Sequence, residues 1–176
     1  MNYKPIIVVA GEPNSIFLEI FFKAIKLKKY HCPIILIASK DLIDLQMKKL
    51  KVNFKINILN IENLKRQKIN NKSINLINVN YTQKKAFQKI TNKSNKYIEN
   101  CFHIAFSLIK KKYTHKLING PISKKHFLNK KFYGVTEYIA DNFSTKKNGM
   151  LIYNKKLSVC PVTTHLPLKF VSNSIK

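Results

Sequence analysis

Two short, continuously apolar runs near the start of the chain constrain its fold more than any other feature. Pro5–Ala10 reads Pro-Ile-Ile-Val-Val-Ala and Pro33–Ala38 reads Pro-Ile-Ile-Leu-Ile-Ala. Neither alternates polar with apolar residues, so each is expected as a strand buried on both faces, the mark of a parallel sheet covered by helices. Gly11–Ser15 then reads as a turn, and Ile16–Lys28 repeats its apolar residues at helical spacing. Ser39 is placed to cap a helix over Lys40–Leu50, which opens with Asp41 near its positive end. Strand, helix, strand, helix is the alternation of an α/β layer architecture.

The remainder is less regular. Val52–Asn80 mixes Ile and Leu with Lys and Asn, which predicts short, half-exposed strands at Asn57–Ile61 and Ile74–Asn80 around a turn at Lys68–Lys72. Too many β-branched residues are present for a disordered segment. Gln83–Lys112 reads as helical, with Ile98, Cys101, Phe102, Ala105, Phe106 and Ile109 as one apolar stripe. Leu117–Asn119 is expected as a strand, Thr136–Phe143 as a helix, and Met150–Tyr153 with Leu157–Val162 as a hairpin-like pair of strands. Another helix begins over Leu168–Ile175. No repeat or Pro/Gly/Ser linker divides the chain, so its 176 residues are expected as one domain.

Charge is where composition matters. The chain has 33 Lys+Arg against 8 Asp+Glu, a net +25, which raises the question of a nucleic-acid partner. Yet Arg66 is the sole arginine, whereas groove and phosphate readers favour the arginine fork. The lysines are spread along the chain, and the abundant Lys, Asn and Ile share A/T-rich codons. Genomic base composition therefore accounts for the charge, and no specific nucleic-acid partner is expected. Cys32, Cys101 and Cys160 are odd in number and far apart, so free thiols in a reducing compartment are expected. No apolar run approaches the roughly 18 residues of a membrane span, and Ile6–Ala10 is too short for a signal-peptide core. A cytoplasmic protein with no membrane partner is the expectation.

Four segments carry candidate chemistry. In Leu157–Leu168 an apolar run meets Thr163, Thr164 and His165, and Pro167 stops it. This predicts an imidazole at the C-terminal end of a buried strand, where open α/β sheets place ligands; a strand-end histidine can equally be structural. Gly120-Pro121-Ile122-Ser123-Lys124 follows a predicted strand and reads as an anion-accepting turn or as an ordinary turn with an exposed lysine. Gly134-Val135-Thr136-Glu137 opens a helix, whose free N–H groups favour an anion. Ile6–Pro13 ends a strand in Gly11-Glu12-Pro13.

Together these segments resemble the 4-hydroxythreonine-4-phosphate dehydrogenases of vitamin B6 synthesis. Thr163–Leu168 is similar to the family's Thr-Thr-His-Leu-Pro-Leu string, Gly11–Pro13 with Glu19-Ile20 to its first turn, and Asn119–Lys124 to its Gly-Pro-Ile/Val-x-Lys motif. Tyr133–Tyr138 sits where the family has Gly-His-Thr-Glu-Phe/Tyr. The resemblance runs over essentially all of the chain but only the front half of the family's protein.

It implies an α/β/α layered domain of the isocitrate/isopropylmalate dehydrogenase-like kind, truncated. It further implies NAD(P)-dependent, metal-assisted oxidation of 4-phosphooxy-L-threonine, followed by decarboxylation, in a homodimer. His165 would be a ligand of a divalent metal (Zn, Mg or Co), Thr136 a contact to the phosphorylated substrate, and Lys124 a supporting charge in the substrate cleft. The family's other two metal histidines and most of its nicotinamide contacts lie in the half not spanned, so the chain by itself is expected to be inactive. His31, His103, His115 and His126 have no HxxxH or HxH partnership, and no GxGxxG fingerprint is present.

Two departures stand out. The family's substrate-contacting histidine is Val135 here, whose side chain makes no hydrogen bond. The family's Ala-Gly-Ile-Gly-Pro is Asn14-Ser15-Ile16-Phe17-Leu18, without either glycine. Such changes make a non-catalytic remnant the rival to an enzyme, with a basic nucleic-acid-binding module third.

Overall fold

In a computed structural model, residues 4–128, 131–132, 134–144, 148–163 and 166–175 are described. The first buried run forms strand β1 (Ile6–Val9), and the second forms β2 (Ile34–Ala38). Helix α1 (Phe17–Leu27) connects them, and α2 (Lys40–Leu50) follows β2. As expected, Ser39 caps α2, its side chain accepting from the Leu42 N–H, a contact worth about 1 kcal/mol. Strands β3 (Ile56–Ile58), β4 (Ile74–Asn78) and β5 (Leu117–Asn119) complete a five-stranded sheet in the order β3-β4-β2-β1-β5. Every pairing is parallel, with Val8 opposite both Leu36 and Ile118.

Helices cover both faces. Val8, Ala10, Leu36, Ala38, Ile74 and Leu76 share one core cluster with Leu18, Phe21 and Phe22 of α1 and Leu42, Ile43 and Met47 of α2. Strand alternation sends Ile7, Val9, Ile35, Ile37 and Ile77 to the other face. There α3 (Asn95–Lys110) packs against β1 and β2, burying Ile98, Cys101, Phe102, Ala105 and Phe106. This is the expected α/β class.

Three expectations are corrected. β4 is not half-exposed: Ile74, Asn75, Leu76 and Ile77 are all buried, because the strand lies between β2 and β3. Asn75 is tolerated there because its Nδ2 donates to the carbonyls of Ile34 and Asn70 while its Oδ1 accepts from Asn57. The helix expected from Gln83 begins only at Asn95. Residues 83–91 are irregular, with Phe87 at φ 57°, and Gln83 and Gln88 are tied instead to Asn14. Finally, Met150–Tyr153 and Leu157–Val162 share a single antiparallel bridge, Ile152 to Val159, and Leu157, Val159 and Val162 are exposed. The run leading to His165 is therefore not a buried strand.

The chain divides into two compact units, Met1–Phe127 and Leu128–Lys176. The first holds the sheet. The second holds α4 (Val135–Asn142), the bridged pair and a terminal 3₁₀ turn at Leu168–Phe170 running into α5 (Val171–Ser174).

Candidate functional site

From β1 the chain moves to β2, then out to the edge strand β3 and back inward to β4, and it returns through α3 to lay β5 on β1's other side. The winding direction thus reverses between β1 and β5. Outside the carboxyl ends of those two strands is where an open α/β sheet leaves a ligand crevice. The loops Gly11–Pro13 and Gly120–Lys124 both emerge there.

These loops interlock through backbone. Gly120 N–H donates to the Val9 carbonyl at 2.7 Å, and Glu12 N–H donates to the Pro121 carbonyl at 2.9 Å. Gly11 has φ +74°, and a Cβ on it would lie 2.4 Å from the Pro121 oxygen. A Cβ on Gly120 would lie 2.1 Å from the Ala10 oxygen and 2.8 Å from Cγ of Phe17. Both glycines are required by the crossing itself, and the Phe17 ring lies against Gly120.

Glu12 is buried at the centre of this edge. Its Oε1 accepts from the Asn14 N–H at 3.2 Å, and its Oε2 accepts from Ser94 Oγ at 3.0 Å. Asn14 Oδ1 in turn accepts from Gln83 Nε2 at 3.1 Å and the Gln88 N–H at 2.8 Å. Gln46, fully buried on α2, donates to the Pro13 carbonyl at 2.8 Å. Behind this edge, the Ser39 N–H donates to the Tyr97 hydroxyl. Burial raises the Tyr97 phenol well above its ordinary value and pushes the Cys101 thiol up to about 12. Burial, then the charge of Glu12, raises Tyr81. Glu12 belongs to the first family-like motif, but its partners Ser94, Gln83 and Gln88 lie far away in sequence and carry no local signal.

Ser123 starts a π-helical turn over Lys124–Leu128: its Oγ accepts from the His126 N–H and its carbonyl from the Phe127 N–H. Lys124 is exposed at the first position of that turn. In the second unit, Gly134 precedes α4 with extended backbone and makes no side-chain cap. Thr136 is exposed in this first turn. His165, the expected metal ligand, lies outside the described residues, as do Thr164 and Tyr133.

His31, His103 and His115 are exposed, and His126 Nδ1 lies 2.8 Å from Asn92 Oδ1. Cys32, Cys101 and Cys160 are free thiols, as expected. Among the described residues, no three His, Cys, Asp or Glu side chains converge as metal ligands. Nor does the glycine-lined crossing cradle a dinucleotide phosphate, since the space beside Gly11 and Gly120 is filled by the opposite loop and Phe17. By themselves the described residues fit neither group. Among them, no helix is long and apolar enough to cross a membrane. A cavity of about 630 Å³ lies at the opposite, amino-terminal edge of β2 and β4, between Phe21, Ile25, Ile34, Phe54 and Asn71; it is remote from the interlocked loops.

A parallel sheet covered on both faces, with two loops interlocked at its topological switch point, defines an α/β domain of the kind that binds ligands at its carboxyl edge. The model of one family, pyridoxal phosphate biosynthetic protein PdxA, matches residues 30–176, and the chain belongs to that family. It is 31% identical over 175 residues to 4-hydroxythreonine-4-phosphate dehydrogenase of Sulfurihydrogenibium sp., covering 96% of this chain and 52% of the relative. A shorter stretch of 66 residues is 41% identical to the enzyme of that name from Aquifex aeolicus, covering 35% of this chain and 20% of that one. The crystal structure of 4-hydroxythreonine-4-phosphate dehydrogenase from Klebsiella pneumoniae shares the fold, with a TM-score of 0.77 at 19% identity over 95% of this chain and 52% of that one. The chain corresponds to the front half of the family's fold and spans about half the length of these full-length matches.

Proposed function

We propose that this chain supplies the substrate-binding front half of an enzyme of vitamin B6 synthesis. That enzyme would oxidise 4-phosphooxy-L-threonine with NAD(P) and a divalent metal (Zn, Mg or Co), with decarboxylation following, as a cytoplasmic homodimer. The observation that carries this reading is the interlocking of Gly11–Pro13 with Gly120–Lys124 at the switch point, in a chain of this family.

The roles follow from local chemistry. Lys124, exposed beside the crevice, contributes a mobile positive charge toward a phosphoryl group. Thr136 offers a hydroxyl at the positive end of α4, where the helix dipole also favours an anion. His165 is the proposed metal ligand, its fellow ligands lying beyond this stretch. The Phe17 ring against Gly120 favours a second reading, a folded remnant without catalysis.

Formation of NADH from 4-phosphooxy-L-threonine separates these readings. The 176-residue polypeptide alone should give none. A single chain in which the second half of the Sulfurihydrogenibium relative follows Lys176 should give metal-dependent turnover, abolished by His165→Ala and reduced at least tenfold by Thr136→Val. Turnover by the short chain alone would overturn the account of its missing groups. A folded, inactive fusion would favour the remnant.

A further inference from the structure

We propose that the cavity of about 630 Å³ at the amino-terminal ends of β2 and β4 is a binding site for a small aromatic anion, a flat apolar ring system carrying one carboxylate. The inference stands apart from the proposed reaction, whose substrate, 4-phosphooxy-L-threonine, is polar throughout and carries no ring to bury there.

The site is built within the first unit, by residues between Phe21 and Asn75. Its volume falls within the range of about 300–1,000 Å³ that small-molecule sites occupy, and its make-up is theirs, an apolar interior with a few polar groups. Phe21 and Ile74 are buried, and Ile25, Ile34 and Phe54 are half-buried. The rings among them are fixed by their neighbours. Phe54 stacks on Phe22 with centroids 5.5 Å apart, and Phe22 meets Phe21 edge-to-face at 6.2 Å. Phenyl rings held in place favour an aromatic partner, because ring quadrupoles add to simple area burial.

The walls are formed in advance. Asn71 Nδ2 donates to the carbonyls of Tyr30 and Cys32, at 2.9 and 2.8 Å, and its Oδ1 accepts from the Ile34 N–H at 2.9 Å. Asn75, buried, donates to the Ile34 carbonyl at 3.0 Å. The loops that lead into β2 and β4 are thus held together before any ligand arrives, which lowers the ordering cost of binding. Charge then selects the sign of the ligand. Lys28, Lys29 and Lys72 are exposed on these walls, and no carboxylate is among the described residues that line the cavity. The carboxyl end of α1 adjoins Lys28 and carries a partial charge of about −0.5. Three ammonium groups outweigh it.

The test titrates the isotope-labelled 176-residue chain with 2-naphthoate and with its uncharged counterpart 2-naphthamide, followed by backbone amide shifts. The carboxylate should give saturable shifts at Ile25, Ile34, Ser73 and Ile74, and should bind at least tenfold more tightly than the amide. The triple variant Lys28→Glu, Lys29→Glu, Lys72→Glu should abolish that preference while 2-naphthamide still binds. Because all three side chains are exposed, the β1, β2 and β4 amides should stay protected from exchange in the variant. The proposal is overturned if the cavity amides do not shift, or if the shifts fail to saturate and spread over lysines elsewhere, as the net charge of +25 alone would produce. It is equally overturned if the two probes bind alike, or if the folded triple variant keeps the preference for the carboxylate.

Discussion

Gly120 and Gly149 have the same side chain and opposite tolerances. A Cβ at Gly120 would meet the Ala10 oxygen at 2.1 Å, whereas at Gly149 its nearest neighbour would be Cys160 Sγ at 3.9 Å, an ordinary contact. Gly120→Ala should therefore destabilise the sheet unit by about 1–3 kcal/mol in urea titration, as overpacking does, while Gly149→Ala should leave it unchanged. Equal effects would contradict the interlocked geometry. The cysteines separate in the same way. Cys160 is exposed, but Cys101 is buried with its thiol raised to about 12 from an ordinary 9.0, so native protein at mild pH should be labelled at Cys160 and not at Cys101. Because folding raises the Cys101 value, the folded state keeps its proton where the unfolded chain has lost it. The stability this confers is present below pH 9.0 and is lost as pH rises toward 12, and Tyr97, also raised by burial, acts in the same direction. An unfolding midpoint that held steady above pH 9.0 would contradict the burial of both groups.

Among the elements, those dictated by local pattern were legible in the sequence, and those fixed by distant contacts were not. β1, β2 and the capped α2 follow directly from apolar runs and Ser39, because buried strands and helix caps are encoded within a few residues. β4 was located but its burial was not, because Asn75 reads as a solvent residue until Ile34, Asn70 and Asn57 are seen to satisfy it. The segment 83–91 carries helix-compatible residues, yet Asn14, nearly seventy positions earlier, holds it in another conformation. This tie is testable. Asn14→Ala should speed amide exchange at Gln88 and its neighbours and cost about 1 kcal/mol, with α3 protection unchanged. Helix formation extending back to Gln83 in that variant would show that Asn14 alone blocks it, whereas unchanged exchange at Gln88 would mean that the latch is not formed.

Over the whole molecule, the two carboxyl-edge loops were legible through their motifs, because Gly11–Pro13 and Gly120–Lys124 each carry a local signature. That they lock into each other was not, since parallel pairing of β1 with β5 joins residues over a hundred positions apart. The net charge of +25 should have one generic consequence. Binding to duplex DNA should be sequence-blind and fall steeply with salt, vanishing near physiological ionic strength; a tight, sequence-selective complex there would overturn the compositional explanation of the lysines. The proposed function turns on whether a phosphorylated substrate binds at the carboxyl edge of the sheet. Titration of the isotope-labelled chain with 4-phosphooxy-L-threonine, followed by backbone amide shifts, tests this most directly. The account predicts saturable shifts at Gly11, Glu12 and Gly120–Lys124, weakened by Lys124→Ala. Shifts confined to the cavity at the amino ends of β2 and β4, or none near the interlocked loops, would contradict it.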